Sequence, residues 1–115
     1  MMRLLAALLT TALIATPVAA QQPKPKPNPF SDRLEKLDDI PRRATLRRAI
    51  LDSGQYCNRV DAAGRQQDYK NLVMWTARCG RGGDYALFIG PDASVQVRRC
   101  PELKTLGLPE CRPRK

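Results

Sequence analysis

Histidine is missing from the 115-residue chain. That excludes a Ser-His or Cys-His nucleophile, and it leaves no imidazole to ligate a metal or move protons near neutral pH. Aromatic residues are scarce: one Trp, three Tyr and two Phe. Acidic residues are in the minority, 11 against 20 Lys and Arg, for a formal charge of +9. No cysteine pair has C-x-x-C spacing, so a thioredoxin-like redox pair and a zinc-ribbon knuckle are both absent. The length sets a ceiling of one small domain. No catalytic residue, cofactor or metal site is expected. Asp38 and Asp39 are adjacent and diverge around a helix, Glu102 and Glu110 lie beside prolines, and Ser53 has no base. A carboxylate hydrolase needs two converging acids in a cleft, and so short a chain has little room for one.

The first twenty residues read as an address. Met1-Met2-Arg3 is a short basic start, Leu4–Thr16 is uncharged and apolar, and Pro17-Val18-Ala19-Ala20 supplies small residues for cleavage. This is the order of a secretory signal peptide, residues 1–20. The run is too short for a membrane span, which needs roughly 20 apolar residues. Cleavage after Ala20 removes one charge, Arg3, and leaves +8 with all four cysteines. The expected location is periplasmic or secreted.

Residues 21–30 begin Q-Q-P-K-P-K-P-N-P, a Pro/Lys-rich linker with polyproline II character. Residues 31–115 form the expected domain. Asp32 and Glu35 fit a capping box. Leu34, Leu37 and Ile40 recur at helical spacing, and Pro41 marks a break. A second helix is expected over Arg42–Ser53, ended by Gly54. It presents Leu46, Ala49 and Ile50 on one side and carries four basic residues, Arg42, Arg43, Arg47 and Arg48. They read either as a solvated helix surface or as an anion-binding face.

After Gly54 the period shifts towards two. Tyr56–Val60 reads as a short strand and Asp61–Asp68 as a polar loop. Leu72–Cys79, Tyr85–Ile89 and Val95–Arg99 read as strands separated by Gly80–Asp84 and Gly90-Pro91-Asp92 turns. Such short connections make the strands antiparallel. Val73, Trp75, Ala77, Leu87, Ile89, Val95 and Val97 share one face, which the helix covers. The fold class is therefore α+β, two-layered, with an N-terminal helix or helices on a three- to four-stranded antiparallel sheet.

An even cysteine count behind a secretory signal reads as two disulfides stapling a small core. Adjacent strand ends favour Cys57–Cys79 with Cys100–Cys111. Cys79–Cys100 with Cys57–Cys111 is the competing arrangement.

The opposite sheet face carries Arg78, Phe88 and Arg98, an aromatic flanked by guanidinium groups and a candidate platform for an anionic or aromatic partner. Alternatively Leu103, Leu106 and Leu108 fold over this face and bury Phe88. The tail 112–115 is basic. The charge is spread as +3 over residues 21–53, +3 over 54–100 and +2 over 101–115. That distribution, with no recognition motif, does not support a nucleic-acid groove. Gly80–Asp84 lacks the Gly-Lys-Ser/Thr of a phosphate loop.

The order helix, Gly54, strand, then W-T-A-R-C-G-R-G-G-D-Y-A-L-F-I-G-P-D-A-S-V-Q-V resembles half of a PepSY-type domain across Arg42–Cys100. It also resembles small exported proteobacterial proteins with a W-x-x-x-C strand pattern. The PepSY resemblance implies a helix followed by antiparallel strands, and a role in inhibiting or regulating exported peptidases. The four cysteines and the Arg-rich helix lie outside that pattern, so no family site residue is carried over. The chain's own residues point to an exported, non-enzymatic binding or structural module. Its expected partner is an anionic envelope polymer or another exported protein, with an inhibitor of an exported hydrolase as the alternative.

Overall fold

The computed structural model of the chain describes residues 11–15 and 26–112. Most of the expected signal peptide, the start of the Pro/Lys linker and residues 113–115 of the basic tail lie outside the described residues. Two helices, α1 (Pro29–Lys36) and α2 (Asp39–Asp52), precede four strands: β1 (Val60–Tyr69), β2 (Leu72–Cys79), β3 (Asp84–Ile89) and β4 (Val95–Arg99). The strands pair antiparallel in the order β1-β2-β3-β4. The helices pack on one face of this sheet, an α+β arrangement.

The helical domain begins earlier than the linker boundary at residue 30 implies. Asn28, not Asp32, caps α1: its side chain accepts from the Ser31 N–H at 3.1 Å. Pro29 takes the first helical position, where its missing N–H costs nothing. Asn28 also donates to the Ile89 carbonyl at 2.9 Å, which ties the helix start to β3. Its carboxamide thus satisfies two backbone groups at once, which a capping Asp cannot do. α2 starts at Asp39, three residues before the expected Arg42, with Pro41 tolerated in its first turn. Leu46 and Ile50, four apart, are buried, whereas Ile40 is 80% exposed. Gly54 follows the helix with a φ of 85°.

The expected polar loop Asp61–Asp68 is instead most of β1, the longest strand. The expected strand Tyr56–Val60 is irregular until its last residue. The misreading has a physical cause. Register shifts at Val60/Ala62 and Arg65/Gln67 break the period of two. As an edge strand with small residues, β1 also needs little apolar side chain. Its strand character comes from pairing with β2.

Trp75, Tyr85, Leu87 and Ile89 form the centre of the main core, with Leu34, Leu46 and Ile50 above them from the helices. Burying each such side chain is worth about 1.5–3 kcal/mol. Disulfides join Cys57 to Cys79 and Cys100 to Cys111. The first is buried within this core.

The opposite face is covered as well. Residues 101–112 cross it as a strap, and Met74, Ala86, Phe88 and Leu103 are buried in a second, smaller cluster. The Tyr69 ring meets Phe88 edge-on at 5.9 Å. The Gln66 carboxamide, at the second bulge, donates to the Glu110 carbonyl and accepts from the Arg112 N–H, both at 2.9 Å. It acts as a peptide group would, holding the strap to β1.

Candidate functional site

The four α2 arginines each have a partner, two in the fold and two on the helix surface. Arg42 donates through its guanidinium to the Leu34, Glu35 and Leu37 carbonyls, closing the C-terminal end of α1. Arg47 Nε donates to the Cys57 carbonyl at 3.0 Å and fixes the segment entering β1. Arg43 pairs with Asp39 at 2.6 Å and Arg48 with Asp52 at 3.1 Å, each one helical turn apart. These contacts give Arg42 and Arg47 a structural role and place Arg43 and Arg48 in ion pairs on the helix surface, the solvated-surface alternative of the two readings. A guanidinium whose N–H groups are taken by carbonyls keeps its charge but has fewer donors free for a ligand.

Phe88 is not a platform. It is 2% exposed, under Leu103 and against Tyr69. The strap buries it because Met74, Ala86 and Phe88 together form an apolar patch that Leu103 and Leu108 complete. The two arginines that flank it in sequence pattern remain exposed.

Arg78 and Arg98 share the strap face of the sheet. Arg78 pairs in register with Asp84, and Ala86 with Arg98, so only β3 separates them. The fold brings other cations to the same sheet end. Arg81 sits in the β2–β3 turn, which is pinned by the Asn58 side chain accepting from the Arg81 N–H. Arg99 stands opposite Tyr85. The second disulfide draws Arg112 beside Cys100. Arg78, Asp84, Arg112 and the Cys100–Cys111 bridge line one crevice of about 240 Å³. Arg81, Arg98, Arg99 and Arg112 are exposed and form no ion pair among the described residues. Among the described residues, Asp84 is the one carboxylate lining the crevice.

The turn geometry behind this pole is tightly specified. Gly82 has a φ of 107°, and a Cβ there would lie 2.2 Å from the Tyr56 carbonyl oxygen. The same carbonyl accepts from the Tyr85 hydroxyl at 2.9 Å. Only glycine lets the turn close onto this loop. The sequence spacing of Arg81, Arg99 and Arg112 carries no sign of their convergence. The hairpin register and the disulfide create it.

Among the described residues no group of three or more Cys, Asp or Glu side chains is placed to hold a metal ion. No described helix is long and apolar enough to cross a membrane. Comparison with family models, curated proteins and solved structures finds no match to this chain.

Proposed function

We propose that the protein is an exported, non-enzymatic binding module whose arginine pole holds an anionic partner. The observation that carries this reading is the set of four exposed guanidinium groups at one sheet end, Arg81, Arg98, Arg99 and Arg112, with no ion-pair partner among the described residues. The four α2 arginines, by contrast, each meet a carbonyl or a carboxylate. Guanidinium groups suit carboxylate, phosphate and sulfate oxygens, which they engage in pairs of parallel hydrogen bonds. Two structural disulfides and the signal-like first twenty residues support an oxidising location outside the cytoplasm.

The test uses heparin as a soluble anionic polymer. The oxidised protein is retained on immobilised heparin and elutes at lower salt when Arg98 and Arg99 are both changed to Ala. The α2 variant Arg48→Ala elutes as the wild type does. Equal elution of all three proteins, or no retention at low salt, contradicts the proposal.

A further inference from the structure

We propose that the free edge of β4 docks an extended acidic segment of another protein, which adds to the sheet as a fifth strand. The inference rests on the arginine pole being a binding surface, and it names the partner class.

The hydrogen-bond phase of β4 identifies its free groups. The Gly90 N–H donates to the Ser94 carbonyl at 2.8 Å, so the 90/94 pair is hydrogen-bonded. Bonded and non-bonded pairs alternate along an antiparallel ladder. Gln96 and Arg98 therefore bond to Phe88 and Ala86, while Val95, Val97 and Arg99 turn their N–H and C=O outward. None of these outward groups has a partner among the described residues.

The two sheet edges are treated differently. β1 is interrupted by two register shifts and held by Gln66 to the strap. Such bulges blunt an edge against further pairing. β4 has an unbroken register over all five residues. Beside Val95, on the helix side, lies a groove of about 620 Å³ lined by Phe30, Ala44, Thr45 and Ala49 together with the Arg48–Asp52 ion pair. A residue opposite Val95 or Val97 in an added strand projects to that same side. At the other end Arg98 and Arg99 face opposite sides of the sheet.

Charge selects the occupant. A second copy of this strongly basic chain brings more arginine to the edge. An acidic strand running antiparallel to β4 instead places carboxylates opposite Arg99 and Arg98 and apolar residues opposite Val97 and Val95. The complementary pattern, from its N-terminus, is Glu-Glu-Val-Thr-Val. Main-chain bonds supply affinity and alternate side chains supply choice, as in strand addition generally.

The probe is that pentapeptide carrying fluorescein, titrated by anisotropy against the oxidised protein. Lys-Lys-Val-Thr-Val is the control. The proposal expects the acidic peptide to bind at least tenfold more tightly than the control. It expects amide shift changes in NMR spectra centred on Val95, Val97 and Arg99. Val97→Pro removes an outward N–H without touching the β3 ladder. It should weaken the peptide at least tenfold while heparin retention stays unchanged. If Val97→Pro fails to fold, the wild-type NMR map decides, and changes lying away from residues 95–99 overturn the proposal. Heparin binding without peptide binding overturns the docked strand and leaves the anionic-partner reading standing. Loss of both removes that reading too. Self-association of the wild type that Val97→Pro abolishes assigns the edge to a second copy and overturns the acidic-segment proposal.

Discussion

The indole N–H of Trp75 donates to the Ser31 hydroxyl at 2.9 Å, joining β2 to the first turn of α1 across 44 positions of chain. Both residues are 1% exposed. Ser31→Ala leaves the indole N–H buried without an acceptor, and a loss of about 1–3 kcal/mol is expected. Trp75→Phe removes the donor and leaves a gap as well, so it should cost more. The double variant should fall short of the sum of the two losses. Urea unfolding of the three variants checks this; strict additivity rules out the coupling.

The two kinds of arginine on α2 should separate cleanly. Arg42 serves three carbonyls through one planar fork. A lysine cannot reproduce that geometry, so Arg42→Lys is expected to lose about 1–2 kcal/mol. Arg48 is mostly exposed and paired only with Asp52. Arg48→Ala should stay within about 0.5 kcal/mol of the wild type. Thermal melts of both variants provide the comparison, and equal losses would refute the division into structural and surface roles.

These arginines mark the limit of what the chain reveals before it folds. Helix α2, the three later strands and their inward faces are legible because Leu46/Ile50 and Val73/Trp75/Ala77 follow the periods of 3.6 and two. The favoured disulfide pairing holds although Cys57 lies in the irregular segment before β1 and not on a strand, because β1 begins with Val60 opposite Cys79. β1 is not, since its bulges scramble the alternation. Nor is the fate of the arginines, because a guanidinium that caps a helix and one that meets solvent look alike in sequence. The pole of Arg81, Arg98, Arg99 and Arg112 depends on register and on a crosslink, both long-range.

The disulfides should reduce in order. Cys57 and Cys79 are buried, while Cys100 and Cys111 are half-buried at the surface. Graded reductant followed by alkylation and mass analysis should label Cys100 and Cys111 first. Replacing both by Ser should cost about 2–3 kcal/mol, from the short loop they close. It should also increase binding of a hydrophobic dye as Met74 and Phe88 are uncovered. First labelling at Cys57 contradicts the order.

Asp92 gives a local pH signature. Its carboxylate accepts from the Ser94 hydroxyl at 2.6 Å and the Ser94 N–H at 3.1 Å. These bonds favour the ionised form and hold its pKa below the usual carboxylate value. A lowered folded-state pKa stabilises the β3–β4 turn above the ordinary carboxylate range. That contribution fades as the pH falls through the lowered value. An NMR titration of the Asp92 carboxyl should place its midpoint below that of a free aspartate. Ser94→Ala should move the midpoint upward. An unchanged midpoint in Ser94→Ala would assign the shift elsewhere.

The strap has a consequence for biogenesis. A chain made from its N-terminus completes β2 and β3 before residues 101–111 exist. Until those residues fold back, Met74, Ala86 and Phe88 lack the cover they have in the finished domain. The Cys57–Cys79 bridge can close early, but the surface is sealed only when Leu103 arrives and Cys111 finds Cys100. A chain truncated before Cys111 lacks the bridge that holds this cover and is expected to aggregate more readily than the full chain.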